Sequence, residues 1–175
     1  MSKLSRLIER IKTALASNEE YIALLRKKGV TIGSGCSISK EVVFGTEPYL
    51  ITLGDNVRVI QSVRFITHDG SLWVPRNMGL VDKKADKYGR ITVGNNVNIG
   101  MGATILPGVR IGSNCIIGAG SIVTHDVPDG SVVAGVPARV IETVEGYVKK
   151  NKEKILLTKG MPEAERKALI LSAMD

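Results

Sequence analysis

Read at steps of six from Val93, the sequence gives Val93, Ile99, Ile105, Ile111, Ile117 and Val123, a β-branched aliphatic at every step. Four positions after each come Val97, Ala103, Val109, Cys115, Ser121 and Val127, all small or β-branched. Gly94, Gly100, Gly112 and Gly118 directly follow four of the aliphatics, as a corner demands where φ is unusual or another backbone comes close. A period of six fits neither the 3.6 of an amphipathic helix nor the 2 of an alternating strand. It fits a coil with one short strand per hexapeptide. With three strands in a coil of about 18 residues, Val93 stacks on Ile111, Ile99 on Ile117 and Ile105 on Val123, about 4.8 Å apart. The expected architecture is a triangular parallel β-solenoid.

The same frame occurs earlier as Ile32-Gly33 with Cys36 and Ile38 with Val42. It resumes in a new register as Leu53-Gly54 with Val57, Val59 with Val63, and Phe65. Two interruptions therefore divide the coils. The second, residues 70–90, has no hexapeptide register and carries the sole Trp, a proline and a run of lysines, so it is expected to project as a loop. Repeat proteins gather insertions on one face, commonly the binding face, which makes this loop a candidate lid or acceptor wall. Before the repeat, Leu4, Leu7, Ile8, Ile11, Tyr21, Leu24 and Leu25 are spaced for amphipathic helices over residues 1–29 that cap the first coil. The frame ends after Ile141, and Pro162 with Glu163 and Glu165 is placed to open a helix within a C-terminal extension, residues 142–175. The solenoid proper is read as residues 30–141.

Composition narrows the function classes. With 43% hydrophobic but only 4% aromatic residues, the core must be aliphatic. A net charge of +7 favours a polyanionic partner, among nucleic acid, a membrane surface and a phosphorylated cofactor. No aromatic interleaving or nucleic-acid motif accompanies the charge, which sets the first aside. No stretch approaches the roughly 20 apolar residues of a membrane span, and the N-terminus lacks the features of a signal peptide, so a cytoplasmic protein without membrane insertion is expected. Cys36 and Cys115 are too sparse for a disulfide scaffold and fall in the small interior slot, which argues against a thiol nucleophile. An ice-binding prism would need flat arrays of repeated threonine, and none is read in the sequence.

The segments IGAGSIV (117–123), VVAGVPARVI (132–141) and THDG (67–70) together resemble the sugar O-acetyltransferases of the hexapeptide superfamily, which include galactoside, maltose and capsular polysaccharide acetyltransferases. The resemblance covers about residues 30–141. It implies an all-β, left-handed parallel β-helix with helical segments at both ends and a projecting loop. It also implies a homotrimer, acetyl-CoA as donor in a groove between neighbouring subunits, no metal requirement, a saccharide or other small-molecule acceptor and a place in polysaccharide biosynthesis.

Acyl transfer from a thioester to a hydroxyl needs a base for the hydroxyl proton and donors for the developing oxyanion. Histidine, with an ordinary pKa of about 6.5, suits the first task. The chain has two, each preceded by threonine and followed by aspartate. His68 comes three places after Phe65, where the repeat breaks and the loop leaves, whereas His125 is read as lying inside an intact hexapeptide, Val123 to Pro128. The family's catalytic histidine stands at a coil end before an extended loop, so the resemblance carries the base to His68. It matches Met101 and Ala119 to positions whose backbone meets the pantetheine arm, and Thr124, His125 and Arg139 to positions near the nucleotide. Two positions depart from the family pattern: His125, where many relatives have lysine, and Asn98, where they often have an aromatic residue. Asp69 and Glu47 are both candidates to orient His68. Two alternatives use the same donor and base, N-acetylation of a nucleotide amino sugar and acetylation of an antibiotic. A zinc site of three histidines cannot be built within one chain from two.

Overall fold

The structure is a computed structural model that describes residues 13–174. Leu4, Leu7, Ile8 and Ile11 of the expected N-terminal cap lie outside the described residues. The chain divides into two compact units between Val144 and Glu145.

In the first unit, short strands follow one another around three faces. The first face stacks β1 (Thr31–Ile32), β3 (Ile51–Leu53), β6 (Ile91–Val93) and β9 (Arg110–Ile111). The second stacks β2 (Ser37–Ile38), β4 (Arg58–Val59), β7 (Asn98–Ile99), β10 (Ile116–Ile117), β12 (Ser131–Gly135) and β13 (Ala138–Thr143). The third stacks β5 (Arg64–Phe65), β8 (Thr104–Ile105) and β11 (Ile122–Val123). Every pairing between these strands is parallel except β12 with β13. Val93 pairs with Ile111, Ile99 with Ile117 and Ile105 with Val123, the stack expected from the period.

Each strand points one side chain inward and the next outward. The inward residues Ile51, Leu53, Phe65, Ile91, Ile99, Ile105, Ile111 and Ile117 are all under 2% exposed. Each such burial contributes roughly 1.5–3 kcal/mol, so the interior file is the main source of stability. Phe44 and Phe65 stack inside the early coils with ring centroids 5.2 Å apart. The outward residues Thr31, Thr52 and Thr92 form one file on the first face. It is a single rank, closed by Arg110, and not the flat double array of an ice-binding surface.

At the corner glycines that follow the aliphatics, close approach matters more than an unusual φ. Gly94 has ordinary φ, but a Cβ there would lie 2.7 Å from Ser113 Oγ and 2.8 Å from its backbone nitrogen on the next coil. The contact exists because polar side chains tie the coils together at this corner. The Ser34 N–H donates to Asp55, Asp55 N–H to Asn95, Asn95 N–H to Ser113 and Ser113 N–H to Asp129. The left-handed conformation falls instead on the adjoining residues Asn56, Asn96 and Asn114, with φ of 54°, 54° and 56°. Asparagine tolerates that region better than most residues.

The same chain of bonds measures the coils. Asn95 and Ser113 are 18 residues apart, the length of three hexapeptides. Ser34 and Asp55 are 21 residues apart, so the first coil is longer. Asp55 and Asn95 are 40 residues apart, because the loop is inserted between them. Ser113 and Asp129 are only 16 residues apart. Each departure falls where the chain leaves the third face for the first. The shortened coil corrects the reading of Val123 to Pro128 as an intact hexapeptide. Val127 bridges to Ile111 and takes the place in the aliphatic stack that the period assigns to a later residue, which leaves His125 on a shortened corner. Hydrogen bonds between Val127 N–H and the Arg110 carbonyl, and between Gly112 N–H and the Val127 carbonyl, overrule the six-residue beat.

Both ends of the solenoid are closed. Helix α1 (Asn18–Lys27) starts at a capping box made by Ser17 and Glu20 and buries Tyr21, Ile22 and Leu25. Asn18 donates to the Cys36 carbonyl and accepts from Ile38 N–H, and Arg26 donates to the carbonyls of Ile32 and Gly33. These bonds occupy backbone groups that would otherwise form an open strand edge. At the other end, β13 folds back antiparallel on β12. The loop after His68 is not featureless: it opens with a 3-10 turn, Gly70–Leu72, and helix α2, Trp73–Asn77.

The second unit continues helix α3 (Val144–Asn151) and contains helix α4 (Glu163–Ser172), with Pro162 at its N-cap and Glu163 and Glu165 in its first turn. Among the described residues no helix is long and apolar enough to cross a membrane.

Candidate active site

His68 sits three residues after β5, where the chain turns away from the coil. The departing and returning legs of the loop pair as a short ribbon. His68 and Tyr88 form an antiparallel bridge, flanked by hydrogen bonds from Asp69 N–H to the Lys87 carbonyl and from Gly89 N–H to the Thr67 carbonyl. The imidazole lies against the Tyr88 ring with centroids 4.7 Å apart. Its side chain is 36% exposed, yet its Nε2 atom is buried and has no hydrogen-bond partner. Facing Nε2 is Asp86 Oδ1 at 3.5 Å, and the same oxygen lies 3.2 Å from Arg76 Nη1.

The two carboxylates that the sequence puts forward to orient His68 are engaged elsewhere. Asp69 accepts from the Ser71 hydroxyl at 2.5 Å and the Ser71 N–H at 3.0 Å, and pairs with Lys87 at 3.0 Å. The Ser71 bonds, with help from Lys87, hold its carboxyl down at about 2. Its place is therefore the cap of the 3-10 turn. Glu47 accepts from the hydroxyls of Thr46 and Thr67, which, together with the charge of His68, hold its carboxyl below the usual range. Through Thr67, which is 1% exposed, Glu47 braces the residue before His68. Asp86, Arg76 and Tyr88 were not legible as site residues, because nothing in the loop's sequence announces which of its residues return to the coil.

Beside His68 is a groove of about 450 Å³ whose lining is mainly apolar, including Val43, Phe65 and Ile66, with Arg64, Thr46 and Thr67 as its polar members. A second groove, of about 360 Å³, brings together His125 and Arg139 over Val123, Val127 and Val133. Asp126 lines it too, but its Oδ1 accepts from Arg110 N–H in the shortened corner. Thr124 Oγ1 and His125 Nδ1 are 2.7 Å apart. His68 and His125 occupy the same corner of the solenoid, because β5, β8 and β11 stack in register. Two coil steps separate them, about 10 Å along the axis.

Met101 and Ala119 lie elsewhere, at the corner between the second and third faces. They are one coil apart, joined by a hydrogen bond from Gly120 N–H to the Met101 carbonyl. The corner is bare: Met101 is 49% exposed, and a Cβ at Gly100 would collide with the Ala119 backbone. The third face thus separates Met101 and Ala119 from His68, Thr124 and His125, while Arg139, opposite Ala134 on β13, lines the His125 groove from the second face. Asn98 is on the outer side of the second face, beside Asn96, Asn114 and Ile116. Both cysteines are buried, and burial pushes the Cys115 thiol up. Among the described residues no three His, Cys, Asp or Glu side chains are grouped to hold a metal ion.

Residues 90–125 match the family described as bacterial transferase hexapeptide (six repeats). The chain is 42% identical over 151 residues to Protein CapG of Staphylococcus aureus, covering 85% of this chain and 86% of that protein. It is 35% identical over 146 residues to the galactoside O-acetyltransferase of Lactococcus lactis, covering 74% of this chain and 70% of the relative. Its fold is similar to that of a hexapeptide-repeat acetyltransferase from Vibrio cholerae solved in complex with acetyl coenzyme A. The TM-score is 0.64 and the identity 26%, over 77% of this chain and 82% of that one.

Proposed function

This chain belongs to the hexapeptide-repeat acetyltransferases, and we propose that it transfers an acetyl group from acetyl-CoA to a hydroxyl of a sugar or polysaccharide precursor, with His68 as general base. The observation that carries the reading is the position of His68, at the foot of the loop and on the same corner as the His125–Arg139 groove. His68 takes the proton of the acceptor hydroxyl, and the oxygen adds to the thioester carbonyl. The carbon–sulfur bond breaks, and the imidazolium returns its proton to the departing thiolate. Direct transfer needs no acyl-enzyme, in keeping with two buried thiols.

The residues fit the donor. Arg139, His125 and Thr124 offer hydrogen bonds and charge for phosphates, and the exposed corner at Met101 and Ala119 gives an extended pantetheine arm a surface to lie along. Because Met101 and Ala119 lie across the third face from Thr124 and His125, one chain cannot close these residues around a single donor. A homotrimer of left-handed solenoids, with each donor held between two subunits, would reconcile that separation.

Release of free CoA, measured with methyl β-D-galactoside and with amino sugars as paired acceptors, tests the reading. Substitution His68→Ala should lower turnover by about 10²- to 10⁴-fold while acetyl-CoA still binds. His125, about 10 Å away, is too distant to replace it. Unchanged turnover would remove His68 from the mechanism. A preference for amino acceptors would turn the reading to N-acetylation of a nucleotide amino sugar or of an antibiotic.

A further inference from the structure

The ribbon that joins the two legs of the loop fixes more than the backbone of His68. It places Asp86, two residues before Tyr88, with its Oδ1 3.5 Å from the buried Nε2. That carboxylate is itself held. Arg76 reaches the same oxygen at 3.2 Å, and Arg76 is anchored by donating from Nε to the Leu72 carbonyl at 3.2 Å, one turn back in the helical start of the loop. The other carboxylates around the ring are committed, Glu47 to Thr46 and Thr67 and Asp69 to Ser71 and Lys87. Tyr88 covers the ring face with its own aromatic ring.

A neutral imidazole carries its proton on one nitrogen and its lone pair on the other, and the partner of the first decides which is which. A carboxylate can only accept, so a bond between Asp86 and Nε2 would select the Nε2–H form. Catalytic hydrogen bonds are often long or poorly aligned before substrates bind and tighten in the complex, and the 3.5 Å contact, not yet a bond, is of that kind. We propose that Asp86 is the positioning residue of His68: it accepts the Nε2 proton, fixes the ring and its tautomer, and leaves Nδ1 as the atom that takes the acceptor's proton. The proposal rests on His68 as the base. When Nδ1 is protonated both ring nitrogens carry hydrogen, and the carboxylate stabilises the imidazolium until Nδ1 gives its proton to the thiolate. Arg76 and Asp86 thereby couple the loop to the base, so a loop that lifts away takes the tautomer control with it.

Nitrogen-15 NMR of histidine-labelled protein tests this without any acceptor. Only two histidines contribute, and His68→Ala identifies the signal of His68. The unsubstituted protein should show His68 in the Nε2–H form, and Asp86→Asn, whose amide can also donate, should show a mixture or a reversal. In turnover of methyl β-D-galactoside, Asp86→Asn should lower kcat by about 10- to 100-fold with KM for acetyl-CoA unchanged, and Asp86→Glu should restore most of it. A predominantly Nδ1–H tautomer in the unsubstituted protein overturns the proposal. So does a tautomer unaffected by Asp86→Asn. If His68→Ala retains full turnover, the base assignment fails, and the NMR result still decides whether Asp86 sets the ring.

Discussion

Replacing Ser121 by alanine should stabilise the protein by about 1 kcal/mol and leave catalysis alone. Ser121 is 0% exposed, and its hydroxyl has no hydrogen-bond partner. A buried hydroxyl without a partner costs about 1–3 kcal/mol relative to water. Against that stands the loss of a few oxygen contacts at about 0.1–0.2 kcal/mol each. The cavity term is small because Ala103, one coil below at the same corner, already fills its slot with a methyl group at 0% exposure. The balance favours alanine by about 1 kcal/mol, equivalent to roughly 2–4 °C in Tm for a chain of this length. Thermal and urea unfolding at one fixed protein concentration would measure it, since Tm depends on concentration wherever subunits associate. Ser121→Thr is the control: it keeps the hydroxyl, adds a methyl group to a packed corner and should cost about 1–3 kcal/mol. Destabilisation of Ser121→Ala by about 1 kcal/mol or more would mean that the hydroxyl is satisfied, and would refute the reasoning.

Gly94→Ala should destabilise by about 1–3 kcal/mol because its Cβ meets Ser113. Gly102 has φ of +69° and open space around it, so Gly102→Asn should be tolerated where Gly94→Asn is not; comparing their denaturation midpoints separates close approach from backbone conformation. Asp69, held at about 2 against an ordinary 3.8, supports the loop fully above pH 3.8, and that support is lost as the pH falls towards 2. Trp73, the only tryptophan and next to the turn that Asp69 caps, should report the change in its fluorescence, and Asp69→Asn should abolish the acid transition. His125→Lys should lower KM for acetyl-CoA by at most about five-fold, the equivalent of about 1 kcal/mol for an exposed ion pair, with the gain erased by high salt. An unaltered KM at low salt would separate His125 from the nucleotide.

Six-residue periodicity is enough to dictate the solenoid. It leaves one inward position per strand, and burying aliphatics there drives the coil whatever the loops contain. For the same reason Val93, Ile99 and Ile105 could be assigned their partners from spacing alone. The cap helix at Tyr21 and Leu25 and the terminal helix after Pro162 were legible from spacing and capping chemistry. Where the beat yields is settled by folding. Val127 joins the stack early because a backbone ladder to Arg110 and Gly112 outweighs the count, and this puts His125 on a shortened corner. The company of His68 is settled in the same way. Asp69, its neighbour in sequence, is drawn to Ser71 and Lys87, while Asp86, from the far end of the loop, arrives at Nε2 through a ribbon formed by the loop's two legs. Periodicity encodes which residues face inward, since that is a local property of each strand. Which loop residue returns to meet His68 depends on how a segment without periodicity closes on itself, and only the folded chain expresses that.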